Sequence, residues 1–70
     1  MTTNTAAKIK ELRSIIEANY AATGNPNPGF AADSILPLIL KVALGQPKYT
    51  DQLLDEEIED QLKASARIAA

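Results

Sequence analysis

The sequence contains no cysteine and no histidine. The first absence removes disulfides and thiolate metal sites as staples, and the second removes the commonest nitrogen ligand and the usual general base. Together they exclude catalytic triads and dyads built on those residues. No phosphate-binding glycine loop, dinucleotide fingerprint or zinc spacing occurs. The stretch MTTNTAAKIK lacks the uninterrupted apolar core of a signal peptide. The longest apolar run, Ile35 to Leu40 resumed after Lys41 by Val42 to Leu44, is too short to span a bilayer. The expectation from these absences is a cytoplasmic chain without membrane attachment, cofactor, metal or enzyme activity.

What is present is a chain of 70 residues, enough for one domain. A domain of that size buries only about 60% of the surface its unfolded chain exposes, so its stability margin is thin. Small chains without staples reach stability through oligomerisation or very good helix packing. The formal net charge of -2 is unevenly placed. Residues 1–48 hold five basic and three acidic side chains, a balance of +2, while residues 49–70 hold two basic and six acidic ones, a balance of -4. A nucleic-acid binder presents a basic face in numbers. Here the densest charge run has the wrong sign, which argues against nucleic acid as a partner.

The segment Ser34 to Gly45, SILPLILKVALG, is apolar almost throughout, with Lys41 its only charge. On a helical wheel Ile35, Leu38, Ile39, Val42 and Ala43 make one face and Leu36, Leu40 and Leu44 fill the opposite one. Such a helix needs cover on most sides. Two amphipathic neighbours cannot supply all of it, so a second copy of the chain is expected to meet it, with Leu36, Leu40 and Leu44 as the oligomer interface.

In chain order, residues 1–5 read as a flexible N-terminus, with Asn4 or Thr5 able to cap a first helix over 6–22. Ile9, Leu12, Ile16 and Tyr20 recur at spacings of three or four and form its apolar stripe. Arg13 lies beside that stripe, either covering it with its stem while its head reaches water or anchoring a carboxylate or phosphate on a partner. A Pro/Asn/Gly loop is expected over 23–33, with Gly24 as the C-terminal cap and Pro26 and Pro28 stiffening the reversal. The second helix is placed at 34–45, started by Asp33 or Ser34, with Pro37 tolerated in its first turn. A start at Asn27 with Pro28 first in the helix is the alternative. In either case Phe30, the only phenylalanine, is expected to close one end of the core. Gly45 and Pro47 stop this helix, and a third follows at 51–67. Its arc of Leu54, Ile58, Leu62 and Ala69, joined by Gln61, Ser65 and Ile68, faces inward, and Glu59 with Lys63 makes an i,i+4 pair.

The fold expected is therefore all-α, a small three-helix domain with an almost wholly apolar central helix, forming a homodimer or larger assembly over residues 6–70. The leading functional expectation is a non-catalytic, homo-oligomeric interaction or regulatory protein that docks a protein partner through Asp55, Glu56, Glu59 and Asp60. An acidic mimic of nucleic acid is a variant of it. Two alternatives stand beside it. One is an oligomeric binder of a small anionic ligand at subunit junctions, held by Lys8, Arg13 or Lys41. The other is a DNA-binding helical regulator, disfavoured because the helix after the first turn is apolar and the next is acidic.

Overall fold

Residues 3–44 and 50–69 are described by a computed structural model; for residues 3, 42–44 and 50 the description covers the backbone alone. The chain forms a compact three-helix, all-α domain: α1 Thr3–Ala22, α2 Pro28–Leu44 and α3 Thr50–Ala69. Thr5 pairs with Asp51, Lys8 with Asp55, and Asn19 with Gln61 and Ser65, so α1 and α3 run parallel. Arg13 pairs with Asp33, and the Glu17 carboxylate approaches Gly29, so α2 runs antiparallel to α1. α1 packs along both other helices, whereas α2 and α3 touch sparsely. The helix in the middle of the packing is thus α1, not the more apolar α2.

The reason lies in which faces are shared. Leu12 and Ile16 of α1 meet Leu54 and Ile58 of α3 and Ala32 of α2, and these five form the buried core among the described residues. Ile9, Ile15 and Tyr20 extend it along α1, and Ile35, Leu36, Ile39 and Leu40 cover it partly from α2. The first stripe reads out directly from its spacing of three and four residues. α2 contributes only alanine to the fully buried set, because its inward face is set by Ala32, Ile35, Leu36 and Ile39, one helical period apart.

The starts of α1 and α2 differ from the leading expectation, and α2 takes the alternative one, with Asn27 before it and Pro28 first in the helix. α1 begins at Thr3, three residues before Ala6, so Thr5 lies inside the helix and donates from Oγ1 to Asp51 Oδ1 at 2.6 Å instead of serving as a cap. α2 begins at Pro28, six residues before Ser34, and shortens the expected 23–33 loop to a tight reversal. Asn27 supplies the carbonyl that accepts the Ala31 N–H at 3.0 Å, and Pro28 takes the first helical position, where a missing donor costs nothing. Asn25 Oδ1 accepts the Asn27 N–H at 2.8 Å and fixes the approach to the helix. Pro37 consequently sits in the helix interior and leaves the Asp33 carbonyl without its helical donor. Both residues are exposed, so water can take that carbonyl.

α1 ends in a Schellman motif. Gly24 adopts φ 86°, its N–H donates to the Ala21 carbonyl at 3.1 Å, and the Asn25 N–H donates to the Tyr20 carbonyl at 3.0 Å. This is the geometry in which a left-handed residue after the helix closes off the last carbonyls, and glycine adopts it without a Cβ clash. The earlier start of α2 also corrects the placement of Phe30. Its ring is 76% exposed and does not close the core, because it stands on the outer face of α2, one and two turns before Ser34 and Leu38. The expected stop at Gly45 and Pro47 lies outside the described residues. α3 is one continuous helix, two residues longer at its end than expected, with Leu54 and Ile58 buried but Leu62 exposed.

Candidate functional site

The acidic side of α3 is built by its amphipathic period: Leu54 and Ile58 turn inward, which turns Asp55, Glu56, Glu59 and Asp60 to solvent. Asp55 is drawn toward α1, where Lys8 Nζ lies 3.0 Å from its Oδ2. Glu59 pairs along its own helix with Lys63 at 3.4 Å. The face is therefore a partly neutralised one, in which Asp55 and Glu59 are paired and Glu56 and Asp60 are exposed.

The cations singled out in the sequence do not converge. Lys8 is held by Asp55, facing α3. Arg13 faces α2, and its guanidinium grips two carboxylates: Nε donates to Asp33 Oδ1 at 2.7 Å, Nη2 to Asp33 Oδ2 at 3.4 Å, and Nη1 to Glu17 Oε2 at 2.7 Å. The hydrogen bonds to Asp33 and then Glu17 raise the affinity of Arg13 for its proton, and the same bond from Arg13 lowers the Asp33 carboxyl below its ordinary value against the opposing effect of desolvation. Lys41 stands exposed on α2. Of the three, two already have carboxylate partners within the chain.

The leucines expected at an interface divide. Leu36 and Leu40 are half-buried against the core of their own chain, and the Leu44 side chain lies outside the described residues. The apolar groups that stand in water on α2 are instead Phe30 and Leu38, the latter 61% exposed. They share a face with Ser34, Pro37 and Lys41, all exposed, at spacings of three and four residues. On the wheel of Ser34 to Gly45 Leu38 shares a face with Ile35 and Ile39, which the core partly covers while Leu38 stays exposed. The exposed position follows from a wheel that includes Ala32 as the innermost residue.

A second feature had no local signal. Between the parallel helices α1 and α3, Asn19 Nδ2 donates to the Gln61 carbonyl and to Gln61 Oε1, each at 3.0 Å. Ser65 Oγ donates to Asn19 Oδ1 at 2.5 Å and lies 3.0 Å from the Gln61 carbonyl of its own helix. Both ends of the Asn19 amide and the Ser65 hydroxyl are thereby engaged. Beside it opens a shallow cleft of about 200 Å³, lined by Ile16, Asn19, Tyr20, Ile35, Gln61 and Ile68, where α2 and α3 fail to meet. Its walls are mainly apolar, and its amides are already engaged with one another.

Among the described residues no cluster of carboxylates is arranged to hold a metal ion, and no helix is long and apolar enough to cross a membrane. Comparison with protein-family models, curated protein sequences and solved structures finds no match. The functional reading accordingly rests on the chain's own surfaces.

Proposed function

We propose that this chain is a non-catalytic protein-interaction module that assembles with copies of itself through the outer face of α2 and keeps the acidic face of α3 for a partner of opposite charge. The observation that carries the reading is the exposure of Phe30 and Leu38, 76% and 61%, on one face of one helix. A chain whose described core holds only five buried apolar residues has placed two of its larger apolar side chains in water. Contact between copies here meets little opposition, because Lys41 is the one charge on that face and Asp33 beside it is held by Arg13.

The magnitude decides what kind of assembly to expect. Covering a phenylalanine or leucine fully is worth about 1.5–3 kcal/mol. Four such groups in a dimer, each already partly covered, give roughly 4–9 kcal/mol. Association costs at least about 4 kcal/mol in lost freedom. The balance describes a contact that opens on dilution. Light scattering over a dilution series at low and high salt tests it. A mass moving between one and two chains of 7.5 kDa, with little salt dependence, supports the reading. A mass of one chain at every concentration overturns it. Binding through Glu56 and Asp60 to a basic partner would, in contrast, weaken steeply as salt rises.

A further inference from the structure

We propose that the second copy seats antiparallel on α2 about a two-fold axis passing beside Ser34, so that Phe30 of each chain lies against Leu38 of the other. This rests on the self-association proposed above and adds its register.

Phe30 and Leu38 each lie four residues from Ser34, about 6 Å along the helix at 1.5 Å per residue. A large group, a small one and a large one thus follow in a row that reads the same in both directions. An isologous contact requires this self-complementarity, since residue i must meet j and j must meet i. Ser34 is suited to the axis because its hydroxyl donates back to the Phe30 carbonyl at 2.9 Å. Its polar atom is satisfied within its own helix, so an apolar neighbour can cover it without stranding a donor.

Charge selects the antiparallel arrangement. In a parallel pairing Lys41 would stack on its own copy. In the antiparallel one it falls over the beginning of the other α2, on the flank where Glu17, Asp33 and Arg13 cluster. Two carboxylates and one guanidinium leave that cluster at -1, opposite in sign to Lys41. Asp33, the carboxylate of α2, lies one residue from the axis, where Arg13 of its own chain pairs with it, and the six carboxylates of residues 49–70 belong to α3. A contact of one helix on its copy lies at the small end of specific interfaces, in keeping with an assembly that opens on dilution.

The absence of native cysteine makes the register directly readable. Single-cysteine variants of the full chain, Ser34→Cys and the exposed α3 control Gln52→Cys, are oxidised with diamide at a concentration where light scattering finds the wild type dimeric. A residue on the axis meets its own copy, so Ser34→Cys is expected to form covalent dimer at least tenfold faster than Gln52→Cys. Equal mixtures of Phe30→Cys and Leu38→Cys, one carrying a mass tag, are expected to give mainly the mixed dimer. Ser34→Cys no faster than Gln52→Cys, with the wild type dimeric, overturns the register and leaves the self-association standing. Faster linking of Phe30→Cys to itself than to Leu38→Cys overturns the antiparallel order. A wild type of one-chain mass throughout overturns both the register and the reading beneath it.

Discussion

Replacing Asn19 by aspartate changes almost no volume, yet it reverses the polarity of a hydrogen-bonded joint between α1 and α3. The amide nitrogen of Asn19 donates to two oxygens of Gln61 at 3.0 Å. In Asn19→Asp an oxygen takes its place, so the bond to the Gln61 carbonyl is lost and two acceptors face each other there, while the Gln61 side-chain amide can turn its nitrogen toward the new carboxylate. The bond accepted from Ser65 survives, since a carboxylate oxygen accepts there as well. The lost bond and the forced contact between acceptors together cost about 1–3 kcal/mol. For a domain of this size that lowers the melting temperature by about 5–20 °C. The introduced carboxyl is better tolerated protonated, when it can donate to Gln61, so its pKa in the folded chain lies above its unfolded value near ~3.9. The penalty is then full at neutral pH, shrinks as pH falls through the raised folded pKa, and vanishes below the unfolded one. Thermal melts of wild type and Asn19→Asp followed by circular dichroism between pH 7 and 3.5 measure the difference at each pH. A variant as stable as the wild type at pH 7, or a deficit unchanged on acidification, would refute the placement of these three side chains.

Leu12→Ala or Leu54→Ala, at residues with no exposed surface, should each cost about 2–5 kcal/mol. A domain of this length holds only roughly 4–10 kcal/mol in all, so urea titration should find either variant largely unfolded or close to it. Gly24→Ala should cost about 1–2 kcal/mol from backbone strain alone, since φ is 86° and nothing lies within 4 Å of an added Cβ; a synthetic chain with D-alanine there should melt at or above the wild-type temperature. Pro37→Ala restores the N–H that the Asp33 carbonyl lacks and should stabilise by roughly 2 kcal/mol, after the gain in unfolded-state freedom is set against the ~3 kcal/mol a helix-interior proline costs. Arg13 lowers the Asp33 carboxyl, so the stability this pair lends is present above the unfolded pKa and lost as pH falls through the folded one. Asp33→Asn should therefore flatten the acid limb of the melting-temperature profile below pH ~4, and an unchanged limb would contradict the pairing.

Much of α1 was legible because its signals agree: Ile9, Leu12, Ile16 and Tyr20 fall on one stripe, and Gly24 follows where a cap is needed. The start of α2 was less so, because two cap signals compete within seven residues. Asp33 and Ser34 resemble a helix start, but Asp33 is engaged by Arg13 and Ser34 bonds its own helix, which leaves Asn27 and Pro28 to begin it. The placement of Phe30 and Leu38 followed that choice. Hydropathy marked α2 as the core helix because it ranks residues, whereas burial depends on which faces two helices share; α1 has a face for each neighbour. The joint of Asn19, Gln61 and Ser65 left only a negative trace, two polar residues on the inward arc of α3. Their partner stands more than 40 residues away, beyond the reach of local periodicity.

The central claim, self-association through the outer face of α2, is tested most directly by sedimentation equilibrium of the wild type beside the double variant Phe30→Ser, Leu38→Ser. These side chains are 76% and 61% exposed, so their loss should leave the helix content and melting of the single chain nearly unchanged. The wild type should climb toward two chains of 7.5 kDa as concentration rises while the variant stays at one. A wild type that remains a single chain to millimolar concentration, or a variant that associates as the wild type does, would contradict it.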